Sequence, residues 1–166
     1  LLAPAISTIK ATPVASFIIL ALIWLHSDGV SIFIAFLMVL PIVWTNVAQG
    51  IAKTDRHLLE MGQAFHFSRL KTFRCIYLPS VMPYFVAACM TGMGLAWKAG
   101  IAAEVLGVPR QSIGEHLYNA KIYLETPELF AWTVVVVVLS VLVENVLVNL
   151  IRRVGKKYNF GHDSSQ

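Results

Sequence analysis

The residues whose chemistry stands out are a few charges placed where charge is costly. Lys98, Glu104 and Glu144 each interrupt a long apolar run. Such a group faces a cavity, a partner or a helix end. Two readings of Lys98 stay open: it snorkels to water or closes a structural ion pair, or it lines a passage that suits an anion. Glu104, near the end of its run, reads as a gate or as an interfacial residue. Glu144 stands with Asn145 and Asn149, polar groups that hydrogen-bond neighbouring helices or meet a solute. Trp44, Thr45 and Asn46 follow Pro41, where freed carbonyls and polar side chains can line a cavity. The candidate pathway residues are therefore Trp44, Asn46, Trp97, Lys98 and Glu104.

Other chemistries find no footing. His26, His57, His66, His116 and His162 are scattered without metal-ligand spacing, so no metal site is expected. No nucleophile–base pair is visible, and catalysis is not expected. There is no GxxxxGK[ST] loop to cradle ATP. Cys75 lies in a basic segment and Cys89 in an apolar one, which argues against a disulfide.

The elements that carry these residues follow from composition. The chain has 166 residues, 57% hydrophobic and only 13% charged, with a mean hydropathy of +0.70. A soluble domain carries about 25% charged residues. Too few charges remain to cover a water-facing surface, which argues against a soluble enzyme and against a disordered chain. Four apolar stretches appear, at 13–25, 30–51, 79–103 and 129–151. The first is short, and the prolines Pro4 and Pro13 suggest a bent approach to it. Length and the absence of alternation favour membrane helices over strands, even in the run Val134 to Val138. The expected fold is an all-α polytopic bundle of about four spans. It forms a single domain over 1–160, with a frayed tail at 161–166. The chain begins at Leu1 inside an apolar stretch, and one or two further helices are expected before it. Ala88, Gly92, Ala96 and Gly100 recur every four residues on the third span, a spacing that lets helices approach closely.

Charge placement orients the spans. Lys53, Arg56, Arg69, Lys71 and Arg74 lie between the second and third, and Arg152, Arg153, Lys156 and Lys157 follow the fourth. The positive-inside rule puts the loop 53–78 and the C-terminus in the cytoplasm. Asp28 and the Glu104–Glu128 segment then lie outside. The net charge of +4 needs no nucleic acid to explain it.

The loop is patterned. Leu58, Met61, Ala64 and Phe65 recur at helical spacing after a cap at Thr54 or Asp55. Ser68 can cap a second short helix with Leu70, Phe73, Ile76 and Tyr77 on one face. Such a helix–turn–helix needs a surface on which to dock: lipid, the chain's own helices, or a soluble partner.

The stretch EMGQAFHFSRLKTFRCIYLP, Glu60 to Pro79, resembles the EAA loop of ABC importer permeases. Glu60 matches the Glu, and Ile76, Leu78 and Pro79 match the closing Ile-x-Leu-Pro. Met61 and Gly62 replace the paired alanines, and His66 stands at the position of the turn glycine. The stretches KATPVASFIILALIWLH and AWKAGIAAEVLG resemble permeases of the nitrate/taurine/sulfonate-type branch. The resemblance implies a type I importer permease in a bacterial inner membrane, with a cytoplasmic coupling helix-turn-helix formed by Glu60, Met61, Gly62, Phe65, His66, Arg69, Ile76, Leu78 and Pro79. The resemblance implies further that Phe65 fills a groove on the ATPase and that Glu60 and Arg69 pair at its rim. It implies as partners an ABC ATP-binding subunit that holds ATP and Mg, a second permease copy, an extracytoplasmic substrate-binding protein and the lipid bilayer. This chain itself holds no cofactor. The competing reading is a secondary-transporter fragment that couples ions through Lys98, Glu104 and Glu144.

Overall fold

The computed structural model describes residues 3–158. All regular structure among them is helical: α1 (Ala3–Ala11), α2 (Val14–Trp24), α3 (Ser27–Ala52), α4 (Arg56–Ala64), α5 (Arg69–Thr72), a π-helical turn (Phe73–Tyr77), α6 (Leu78–Gly107), α7 (Ile113–Ile122) and α8 (Thr126–Tyr158). The expected tail at 161–166 lies outside the described residues.

Among the described residues, three helical stretches are long and apolar enough to cross a membrane: Ser27–Ala52, Arg69–Gly107 and Thr126–Ile151. The first apolar stretch instead becomes α2, with 11 residues. At about 1.5 Å per residue it covers only about half of a 30 Å hydrocarbon core. Pro13 precedes it in an extended conformation and separates it from α1, and Leu25 ends it, also extended. Pro41 and Pro83 are accommodated inside α3 and α6. Before Pro79 the helix widens: the Leu78 N–H donates to the Phe73 carbonyl, five residues back. Pro79 has no N–H to give to the previous turn, and a π turn is a local way to absorb that loss.

The chain divides into two compact units, Leu1–Pro41 with Gly92–Val146, and Ile42–Thr91 with Leu147–Gln166. The core of the first unit brings together Ile18 and Ala21 of α2, Val30, Ile34 and Met38 of α3, and Ala99 and Ala103 of α6. These are helical spacings of three and four, so each helix gives one stripe. Gly92 lets α6 approach Val39, since a Cβ there would stand 3.1 Å from its Cγ1.

The four-residue row of small residues is followed only in part. Ala88 and Gly92 are buried, but nothing lies within 4 Å of a Cβ placed on Gly100, and Ala99 and Ala103 are the buried residues at that level. Each step of four drifts about 40° around a helix, so a straight seam moves to the seven-residue step from Gly92 to Ala99. In the second unit, α6 meets α3 at Gly50, where a Cβ would stand 3.1 Å from the Val81 Cα. The buried Thr54 hydroxyl donates to the Gly50 carbonyl, and the Lys53 ammonium stands 5.9 Å from the centre of the Tyr84 ring.

α7 was not legible as a separate element in the Glu104–Glu128 segment. Its start is a capping box that the sequence does contain: the Ser112 hydroxyl accepts from the Glu115 N–H, and the Glu115 carboxylate accepts from the Gln111 N–H at 2.6 Å. Its end is a Schellman turn with Leu124 at φ 57°. The Glu125 N–H there returns to the Ala120 carbonyl at 2.9 Å.

Candidate functional site

The loop between α3 and α6 is built from its caps inward. The Asp55 carboxylate accepts from the His57 N–H at 2.9 Å and starts α4. Ser68 starts α5, its hydroxyl accepting from the Lys71 N–H at 3.4 Å. Between them α4 closes in a second Schellman turn. The Phe67 N–H donates to the Gly62 carbonyl at 2.8 Å, and the His66 N–H to the Gln63 carbonyl at 2.9 Å. His66 has φ 52°. It occupies the left-handed conformation for which glycine is the usual residue. Histidine visits that region more readily than most side chains do, so the departure from a glycine leaves the turn intact.

The turn folds the loop onto itself. Gly62 and Ile76 are buried, and a Cβ on Gly62 would stand 3.0 Å from the Ile76 Cδ1 and 3.6 Å from the Phe67 ring. Ile76 thus leaves the face expected to carry it and packs inward. Leu58, Met61, Phe65, Leu70 and Phe73 stay outside, with Phe65 70% exposed. The Lys71 ammonium covers the Phe67 ring at 4.1 Å from its centre, a cation–π contact that holds α5 against the turn. Glu60 stands 3.8 Å from the His57 Nδ1, both side chains well exposed. Arg69 and Glu60 do not pair with each other. The result is an exposed apolar ridge, rimmed by Glu60, Arg69, Lys71 and Arg74.

The candidate pathway residues separate. Lys98 is exposed on α6, as are Leu95, Ala102 and Leu106, about 100° around the helix from the packed Ala99, and makes no hydrogen bond or ion pair among the described residues. Glu104 is engaged: its carboxylate accepts from the Gly114 N–H at 3.2 Å, at the positive end of α7. Gly114 is required there, because a Cβ would overlap the Glu104 backbone. Trp97 is partly buried, and its indole N–H has no partner among the described residues. Trp44 and Asn46 belong to the second unit. The Asn46 amide donates to the Ile42 carbonyl at 2.9 Å, and Trp44 is exposed. The structure thus gathers the exposed loop residues on one helix–turn–helix and ties Glu104 of α6 to the start of α7, while Lys98 has no partner among the described residues.

Comparison with known proteins bears on this geometry. A family model described as "Binding-protein-dependent transport system inner membrane component" matches residues 1–156. The chain belongs to that family. As such it is a multi-pass inner membrane protein. It is similar to the putative aliphatic sulfonates transport permease SsuC of Escherichia coli (strain K12), 27% identical over 96% of this chain and 60% of that protein. It is 24% identical to the taurine transport system permease TauC of the same strain, over 92% of this chain and 56% of that one. The bicarbonate transport system permease CmpB of Synechocystis sp. is 26% identical over 57% of this chain and 34% of its own length. The chain thus spans about three fifths of the length of the sulfonate permease.

Proposed function

We propose that this chain is part of the transmembrane subunit of an ATP-driven importer, and that the loop 53–78 is its contact with the ATPase. The observation that carries this reading is the exposed ridge Leu58, Met61, Phe65, Leu70 and Phe73 on a helix–turn–helix that is otherwise internally closed. A large exposed apolar ridge with a charged rim fits a protein groove. Burying a phenylalanine side chain gains about 1.5–3 kcal/mol, so Phe65 is the anchor. Glu60 and Arg69, unpaired with one another, are available for charges on the rim of that groove. The basic excess of the loop and of the C-terminal end of α8, with Arg152, Arg153, Lys156 and Lys157, supports placing both in the cytoplasm.

The partner ATPase supplies the free energy of ATP hydrolysis. This chain transmits a displacement. Leu70 and Phe73 sit on the helical stretch that runs without a break from Arg69 to Gly107. A push on the ridge is therefore passed into the part of that stretch that belongs to the same compact unit, up to Thr91. Lys98 lies on the same stretch, which supports a role for its ammonium toward a small anion. A sulfonate, taurine, nitrate or bicarbonate fits a single unpartnered cation. A second copy of the permease would complete the pathway, an extracytoplasmic binding protein would deliver the solute, and this chain would hold no cofactor of its own.

The double variant Glu60→Lys, Phe65→Asp tests the loop assignment. Co-purification of the ATPase with the permease and ATP-dependent uptake are both expected to fall. Unchanged association and uptake refute the assignment. Uptake driven by an ion gradient without any ATPase would favour the ion-coupled reading instead.

A further inference from the structure

α8 carries polar groups where an isolated span should have none. The span Thr126–Ile151 packs on one side only, along Val136, Leu139, Ser140, Val143 and Leu147. On the opposite side Val134, Val138 and Val141 are 61%, 51% and 53% exposed, and Asn145 is exposed with them. Their spacing of four, three and four puts all of them within about 40° of one line on the helix. That is the spacing found at the seam of a helix pair: three valines followed by Asn145, with Asn149 exposed one turn further on.

Asn145 lies about 10 Å from the middle of the span at 1.5 Å per residue, inside the roughly 15 Å half-thickness of the hydrocarbon core. Its amide makes no hydrogen bond among the described residues. An amide with donor and acceptor both unpaired in lipid is costly. The face must therefore be covered, and its cover must both accept and donate at the level of Asn145. An identical amide does both.

We propose that this face of α8 packs against the same face of a second copy of the chain, with Asn145 paired to Asn145 about a two-fold axis. A two-fold contact brings a patch onto itself, so the self-complementary amide and a seam of one residue type, the β-branched valine, suit it. Glu144 lies about 100° around the helix from Asn145 and stands at the edge of the seam, where the space between two copies begins. The proposal rests on the reading of a second permease copy and adds which surface joins the two.

The test uses the full chain in native membranes, with Cys75 and Cys89 replaced by serine. Single cysteines at Val138, Val141 and Asn145 are expected to give disulfide-linked dimers on oxidation, and one at Val143, on the packed side, to give none, because a disulfide needs short Cα separations. Asn145→Leu is expected to weaken self-association roughly fivefold in bilayer subunit-exchange measurements, and Asn145→Gln much less. Absence of cross-links at all three seam positions, while native mass measurement finds two copies, overturns the proposal and leaves the two-copy reading standing. A native mass of one copy removes that reading itself. Cross-linking to a chain of different mass, or unchanged self-association in Asn145→Leu, also overturns the proposal.

Discussion

His66 offers the sharpest check on how the loop is built, because one backbone angle decides it. A side chain in the left-handed region costs about 1–2 kcal/mol relative to the right-handed one. Glycine removes that cost but returns about 0.4–1 kcal/mol through its freer unfolded chain. His66→Gly is therefore expected to stabilise the turn by about 0.5–1 kcal/mol. His66→Val, β-branched at φ 52°, is expected to destabilise it by about 1–2 kcal/mol beyond histidine. The reporter is the Phe67 amide, whose hydrogen bond to the Gly62 carbonyl at 2.8 Å closes the turn. A factor of ten in exchange corresponds to about 1.4 kcal/mol, so native-state hydrogen exchange at Phe67 should slow roughly two- to fivefold in His66→Gly and speed up roughly five- to thirtyfold in His66→Val. Association with the ATPase should follow the same order, because the turn sets where Phe65 stands. If His66→Val exchanges no faster than the parent, the left-handed turn is not what holds α4 to α5.

Three further outcomes follow from the geometry. Gly114→Ala should cost about 2–3 kcal/mol, read as a lower thermal midpoint in detergent, because the added carbon meets backbone of α6 that cannot swing aside; Glu104→Gln, which keeps an acceptor for the Gly114 N–H, should cost less than Glu104→Ala. Hydrogen bonding with Glu128, and then repulsion from its charge, pushes the Glu125 carboxyl above the usual range. The stabilisation of the α7–α8 turn by that proton is thus present in acid and lost as pH rises through the raised value, and Glu128→Gln should return the Glu125 carbon-13 titration to a lower pH. Lys98→Ala should raise the KM for anion uptake about tenfold or more if its ammonium meets the solute, while ATPase association stays at the parental level.

The loop was largely legible because its instructions are local. Asp55 and Ser68 sit where caps must sit, and the chain reads them within three residues. His66 was legible as a departure, and only the backbone angle shows that it fills the glycine's conformation rather than abolishing the turn. Helical spacing puts Ile76 on one face with Leu70, Phe73 and Tyr77 and does not say which of them docks inside the loop. In the structure Ile76 lies in the π turn before Pro79 and is buried against Gly62, while Leu70 and Phe73 stay exposed. Glu104 read as a gate or as an interfacial residue, because nothing in its neighbourhood in sequence shows that the α7 amide ten residues on, at Gly114, will return to meet it.

The sequence by itself determined the class of the molecule. The scarcity of charge leaves only a membrane as its solvent, and the apolar run lengths, the caps and the basic loop follow from rules that act over a few residues. Tertiary structure decided which side of each helix is inside. Helical periodicity is 3.6 and not four, so the small-residue seam of α6 moved from Gly92 to Ala99, and Lys98, one residue earlier, was left on the outer side. That choice depends on which helices arrive to pack, which is non-local, and it separates the engaged carboxylate of Glu104 from the free cation of Lys98.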